Sequence, residues 1–174
     1  MLVTAYSLRN KRMLQSTITS QYRQISSLGF TLVELLFTIA IAGIFSALAA
    51  PSFRDFIAGQ RMKAASSDIS STLTGARSEA LKRNLNVVLT PSSGGWQNGW
   101  TVVAGVGGPT VGQHEAFSDL TIAGPSTNIT YNSSGRLVTA VTPFTVSSSM
   151  SGTVAPRCIS IDLSGLPTSK TGAC

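Results

Sequence analysis

A carboxylate four residues into an apolar run is the first group in this chain to raise a chemical question. Glu34 stands inside "FTLVELLFTIA", residues 30 to 40. An ionised carboxylate in hydrocarbon is costly and is rarely kept there without a partner. Two uses are open: snorkelling to a membrane interface at the near end of the run, or pairing with a cation brought alongside. The remaining reactive side chains form no catalytic set. His114 adjoins Glu115 but has no nucleophile in a recognisable setting, and neither GxSxG nor HExxH occurs. The run "AGVGGPTVG" (104–112) lacks a GK[ST] ending, and no helical pattern follows it to supply an anion site. It reads as a flexible loop. Trp96 and Trp100 could stack a ligand, although packing in a hairpin core is the simpler use. Cys158 and Cys174 are the only 2 cysteines, with no CxxC, and the sole His114 sits in the glycine-rich stretch. No metal, cofactor or enzymatic activity is expected.

The elements that must position Glu34 follow from charge and hydropathy. Mean hydropathy is +0.24 and charged residues make up only 11%, which excludes a disordered polar chain. The net charge of +6 is unevenly spread: Arg9, Lys11, Arg12 and Arg23 precede Phe30, and no acid does. Without that preface nine bases face seven acids, so the basicity is mostly a targeting signal rather than a nucleic-acid surface. Leu35 to Phe53 carries no charge. That is about the length a helix needs to cross roughly 30 Å of hydrocarbon. The basic preface puts the N-terminal side in the cytoplasm and everything after Arg54 on the opposite side. Pro51 removes a backbone donor and should kink or loosen the helix near residues 47 to 51, with Gly43 a second soft point.

Past the span, Met62, Ala65, Ile69, Leu73, Ala76 and Ala80 recur at three- and four-residue steps as an apolar stripe. The pattern predicts one helix from Phe30 to about Arg83, ending near Asn84 and Asn86, with Gly75 tolerated where a sheet packs close. From residue 87 the rhythm changes to short β-prone runs: Val87–Leu89, Trp100–Val103, Ile129–Tyr131, Leu137–Val138, Phe144–Val146 and Cys158–Leu163. In the last, Ile159, Ile161 and Leu163 alternate with polar neighbours, the mark of a half-buried strand. The fold class is α+β: an antiparallel sheet wrapped on the second half of a long helix. The expected organisation is a leader at 1–29, a span at 30–53 and an exported domain at 54–174, with its helix at 54–84 and β-region at 85–174. In such a compartment Cys158 and Cys174 can form a disulfide, or remain two free thiols.

The string Gly29-Phe30-Thr31-Leu32-Val33-Glu34 resembles the processing site of type IV prepilins and type II secretion pseudopilins. The resemblance implies that a prepilin peptidase cuts after Gly29 and that Phe30 is then N-methylated. Glu34 falls on the family's acid at mature position five, and Pro51 on its common helix-breaking proline. The cut creates an ammonium on Phe30 one helical turn from Glu34, able to neutralise it within one subunit or between stacked subunits.

A narrower resemblance is carried by "ARSEALKRNLNVVL" (76–89) and "GGWQNGWTVV" (94–103), which are similar to the H-type minor pseudopilin (GspH/FimT-like) group. Thr90 stands where many members have a cysteine, so the cysteine pairing here is expected to differ. The group implies a pilin-like fold and a structural subunit of a type II secretion pseudopilus or type IV pilus, assembled through its N-terminal helix. Implied partners are other pilins, the prepilin peptidase, the inner-membrane platform and the bilayer, with the exported domain in the periplasm. Some relatives bind DNA for uptake through a basic C-terminal Gly-Arg-x-Arg motif. The corresponding stretch here, Gly165 to Lys170, has only Lys170 charged, leaving Arg136, Arg157 and Lys170 as candidates for that alternative role.

Overall fold

A computed structural model describes residues 29–174; the leader bases Arg9, Lys11, Arg12 and Arg23 lie outside the described residues. The chain divides into two units, one ending at Ile41 and the other running from Ala42 to Cys174. One helix, α1 (Leu32–Arg83), contributes to both and continues through Pro51 without a break in its helical assignment. It starts where Thr31 can cap it. The Thr31 Oγ1 accepts the Glu34 N–H at 3.2 Å, and the Thr31 carbonyl accepts the Leu35 N–H. It stops where Asn84 turns to φ 52° and the Leu85 N–H reaches back to the Ala80 carbonyl, a Schellman-type closure.

In the second unit the predicted stripe is the buried face of α1: Met62, Ala65, Ile69, Leu73, Ala76 and Ala80 are all at most 2% exposed. Gly75 does not meet a close-packed sheet as expected. A Cβ there would touch nothing within 4 Å, because it opens on a groove shared with Val111 and Gly112.

Eight strands follow in two antiparallel sheets. β1 (Val87–Pro91), β2 (Trp100–Ala104), β3 (Thr110–His114) and β5 (Ile129–Tyr131) form one in the order β3-β2-β1-β5. β4 (Leu120–Ala123), β6 (Phe144–Ser148), β7 (Arg157–Ile161) and β8 (Pro167–Thr171) form the other in the order β4-β6-β7-β8. Inward residues of both sheets join the helix stripe in one core, with Trp96 edge-on to Phe144 at 4.9 Å between ring centroids.

Several expectations are corrected. The single sheet is two sheets. Leu137–Val138 is not a strand; Leu137 makes only an isolated bridge to Tyr131. The last predicted run ends at Ile161, leaving Leu163 exposed in the turn before β8. The supposed flexible loop at 104–112 is half hairpin: residues 110–112 open β3, which pairs with β2 across a register shift at Val102/Val103. Its turn is tight, since a Cβ on Gly108 would lie 1.9 Å from the Ala104 carbonyl oxygen. β3, β4 and β8 are all edge strands, where one-sided pairing tolerates glycine, proline and polar side chains.

Candidate functional site

The processing segment is built from very few residues. Gly29 and Phe30 precede α1 in exposed chain, Phe30 being 77% exposed. Gly29 has no positive φ, and a side chain there would meet nothing within 4 Å. Among the described residues nothing demands a glycine at that position. Glu34 sits in the first turn of α1, third residue after its Thr31 cap. A carboxylate at that place favours the unpaired N–H groups and the positive end of the helix dipole. The sequence signal for this cap is the pattern Thr31-x-x-Glu34. From Leu32 onward Leu35, Phe37, Ile39, Ile41, Ile44, Phe45 and Leu48 are all more than half exposed, and an 18-residue window reaches a mean hydropathy of 2.2. So long an apolar helix, uncovered by the described chain, fits a bilayer or the helices of other subunits.

The second group of sequence candidates lies on the far sheet. Cys158 and Cys174 are disulfide-bonded, with Cα atoms 5.2 Å apart. The bond fastens the chain end to β7 beside β6, where the Cys174 sulfur lies 3.2 Å from the Phe144 carbonyl oxygen. The three basic candidates are not gathered. Arg157 pairs in register with Thr171, and Lys170 with Cys158. One residue of offset puts Arg157 and Lys170 on opposite faces of the β7–β8 ladder. Arg136 stands next to Gly135, whose carbonyl accepts a 2.9 Å bond from Arg77 on the last turns of α1. Ser169, the partner of Ile159 two residues from Arg157, bonds instead to Ser66, three turns earlier.

His114 is not a solvated loop residue. Its ring packs against both Trp100 and Phe117, with centroids 4.5 and 4.4 Å away, and its Nε2 lies 3.6 Å from Asp68 on α1. Trp96 and Trp100 are both core residues; the Trp96 indole N–H donates to the Pro125 carbonyl at 2.8 Å. No sequence signal for the Trp100–His114–Phe117 stack exists short of knowing the β2–β3 register. Among the described residues no three His, Cys, Asp or Glu side chains come together as a metal site.

Three polar tie-points hold the β-region to itself and to the helix. Ser151 and Thr153 hydroxyls donate to the Asp55 carboxylate at 2.6 and 2.9 Å, and these bonds hold it below the usual carboxylate range. Asp162 is held low in the same way, chiefly by the Ser164 hydroxyl and then by backbone N–H groups of the β7–β8 turn. Burial pushes the Tyr131 hydroxyl up to about 12, so it stays protonated and donates to the Gly165 carbonyl at 3.3 Å.

Comparison with known proteins bears on the same segments. A family model described as type II transport protein GspH matches residues 65–165, more than half of the chain. A second, the prokaryotic N-terminal methylation motif, matches residues 26–50. Two fimbrial proteins of Pseudomonas aeruginosa are each 41% identical over 54 residues, a stretch that is 31% of this chain and 35% of theirs. The match thus spans about a third of the length of those relatives. Two crystal forms of the type IV minor pilin FimU from Pseudomonas aeruginosa PAO1 superpose with TM-scores of 0.56 and 0.54 at 21% and 22% identity. They cover 64% and 62% of this chain and 89% and 91% of FimU, a likeness of fold.

Proposed function

The chain belongs to the GspH family, and from that premise we propose that it is a minor pilin or pseudopilin: a structural subunit inserted through α1 into a type II secretion pseudopilus or a type IV pilus. The observation that carries the proposal is continuity. Residues 32–50 of the methylation motif, the uncharged run and the stripe that organises the β-domain all lie on one capped helix.

In this reading the chain performs no reaction; it is the substrate of one. A prepilin peptidase cuts the exposed Gly29–Phe30 bond and the new Phe30 amine is methylated. The amine then lies about one turn from Glu34 at 1.5 Å per residue. In the low dielectric of packed helices an unpaired carboxylate is costly, so Glu34 selects positions where an ammonium, its own or a neighbour's, sits alongside. Pro51 leaves one carbonyl of the preceding turn without its helical donor, giving the span a point at which it can bend as subunits pack. Partners are other pilins, the peptidase and the inner-membrane platform. The basic leader sets the N-terminus in the cytoplasm and the β-domain in the periplasm.

The test is Glu34→Ala in a strain that assembles the filament. Mass spectrometry of membrane-extracted protein should find both wild type and variant starting at methylated Phe30, with the variant depleted from sheared filaments. A different N-terminus defeats the processing assignment. Wild-type incorporation of the variant defeats the assembly role of Glu34.

A further inference from the structure

The loop between β6 and β7 (residues 149–156) is tied to α1 immediately past the uncharged span. Ser151 and Thr153 both bond Asp55, and Val154 lies 3.8 Å from where a Cβ on Gly59 would be. Beside them Met150 lines an open depression with Ala50, Pro51, Arg54 and Asp55. Asp55 is two residues beyond Phe53, where the apolar run ends, a rise of about 3 Å along a helix axis. The headgroup layer on each side of a bilayer is roughly 5–8 Å deep. A loop fastened at Asp55 is therefore inside that layer whenever Leu35–Phe53 is inside the hydrocarbon.

Its composition fits the same place. Residues 147–156 carry no charge and five hydroxyls precede Val154. Ser149 is exposed and Met150 is 39% exposed although apolar. Arg54, exposed at the same level, takes part in none of the ion pairs among the described residues. A guanidinium there matches lipid phosphate, hydroxyls match phosphate and ester oxygens, and a flexible thioether can enter the upper acyl region.

We propose that the β6–β7 loop is a second membrane contact. Met150 inserts at the headgroup boundary and Arg54 pairs with lipid phosphate, so that the β-domain lies against the bilayer surface until the subunit is drawn into a filament. The proposal rests on the reading of Leu35–Phe53 as a membrane span and adds to it a contact made by the folded domain. The surface is continuous with that span through Ala50 and Pro51, which is why lipid, and not another protein, is the occupant.

The test places single tryptophans in the full chain in phosphatidylcholine nanodiscs and quenches them with lipids brominated near either end of the acyl chain. Trp96 and Trp100 are buried in the core, so the parent protein supplies a constant background to subtract. Met150→Trp should shift to the blue and be quenched most by bromines near the headgroup. Phe45→Trp, inside the span, should be quenched most by bromines deep in the chain. Val106→Trp, on the fully exposed β2–β3 turn, should be quenched by neither. Met150→Trp emission as insensitive as that of Val106→Trp, with Phe45→Trp quenched, overturns the loop contact and leaves the span standing. Unquenched Phe45→Trp overturns the span and the loop contact together.

Discussion

Removing the disulfide should weaken the β-domain by about as much as one deep core cavity. The bond closes a loop of sequence separation 16. The chain-entropy relation gives about 3 kcal/mol for a loop of this length, by restricting the unfolded chain. Native interactions could dilute the effect, because β8 also pairs with β7 along all of Pro167–Thr171 and Ser169 bonds the buried Ser66. Those bonds hold the native state in both proteins and leave the unfolded-state entropy untouched, so the loss should appear nearly in full. For a domain of this size roughly 3–5 °C accompanies each kcal/mol, which puts the melting temperature of Cys158→Ser/Cys174→Ser about 9–15 °C below wild type. The assay is thermal unfolding of the detergent-solubilised chain followed by emission of the core residues Trp96 and Trp100, with and without reductant. Wild type under reductant should match the double variant. A shift below about 2 °C in both would refute the reasoning, showing that the unlinked end frays locally while the core unfolds as before.

Other substitutions probe single sites. Gly75→Ala should stabilise by about 0.5–1 kcal/mol, since it is a mid-helix glycine whose Cβ would meet open space; a loss in denaturant midpoint counts against the observed groove. Gly165→Ala should destabilise measurably in the same assay, because its φ is +82° and a Cβ would sit 2.4 Å from the Gly135 carbonyl oxygen. Asp55 has a folded pKa below its ordinary 3.8, so its tie to the loop is present above that value and lost as pH falls through the depressed one. Amide exchange over residues 149–156 should therefore be flat from neutral pH to about 4 once corrected for intrinsic rates, and rise below it, while Asp55→Asn raises it at neutral pH. With Arg157 and Lys170 on opposite faces, no more than about two phosphates can be met at once, so the log–log salt slope for duplex DNA should be no steeper than about −2. A titration giving about −6 would show that another surface gathers charge.

What the sequence determined by itself is what repeats or acts locally. The leader charge, the Gly29–Phe30 junction and the uncharged run are contiguous strings. The stripe from Met62 to Ala80 is set by helical period alone, and all six of its residues are buried. Central strands such as β1, legible as Val87–Leu89, and β6, legible as Phe144–Val146, could be read because both their neighbours and the core demand β-branched and aromatic side chains. Of the edge strands, β5 (Ile129–Tyr131) was legible because its two end residues are buried, whereas β3, β4 and β8 were not. "TVGQH" and "PTSKT" have no alternation to read, since their pairing is imposed by β2 and β7 and their outer faces are free to be polar. The split into two sheets, the His114 stack on Trp100 and Phe117, and the Asp55 tie to Ser151 and Thr153 all join residues distant in the chain. So does the register that parts Arg157 from Lys170, where a one-residue offset reverses the face a side chain occupies. Charge and composition name the candidates for contact, but strand register and packing decide which of them meet, because those are set by the whole core at once.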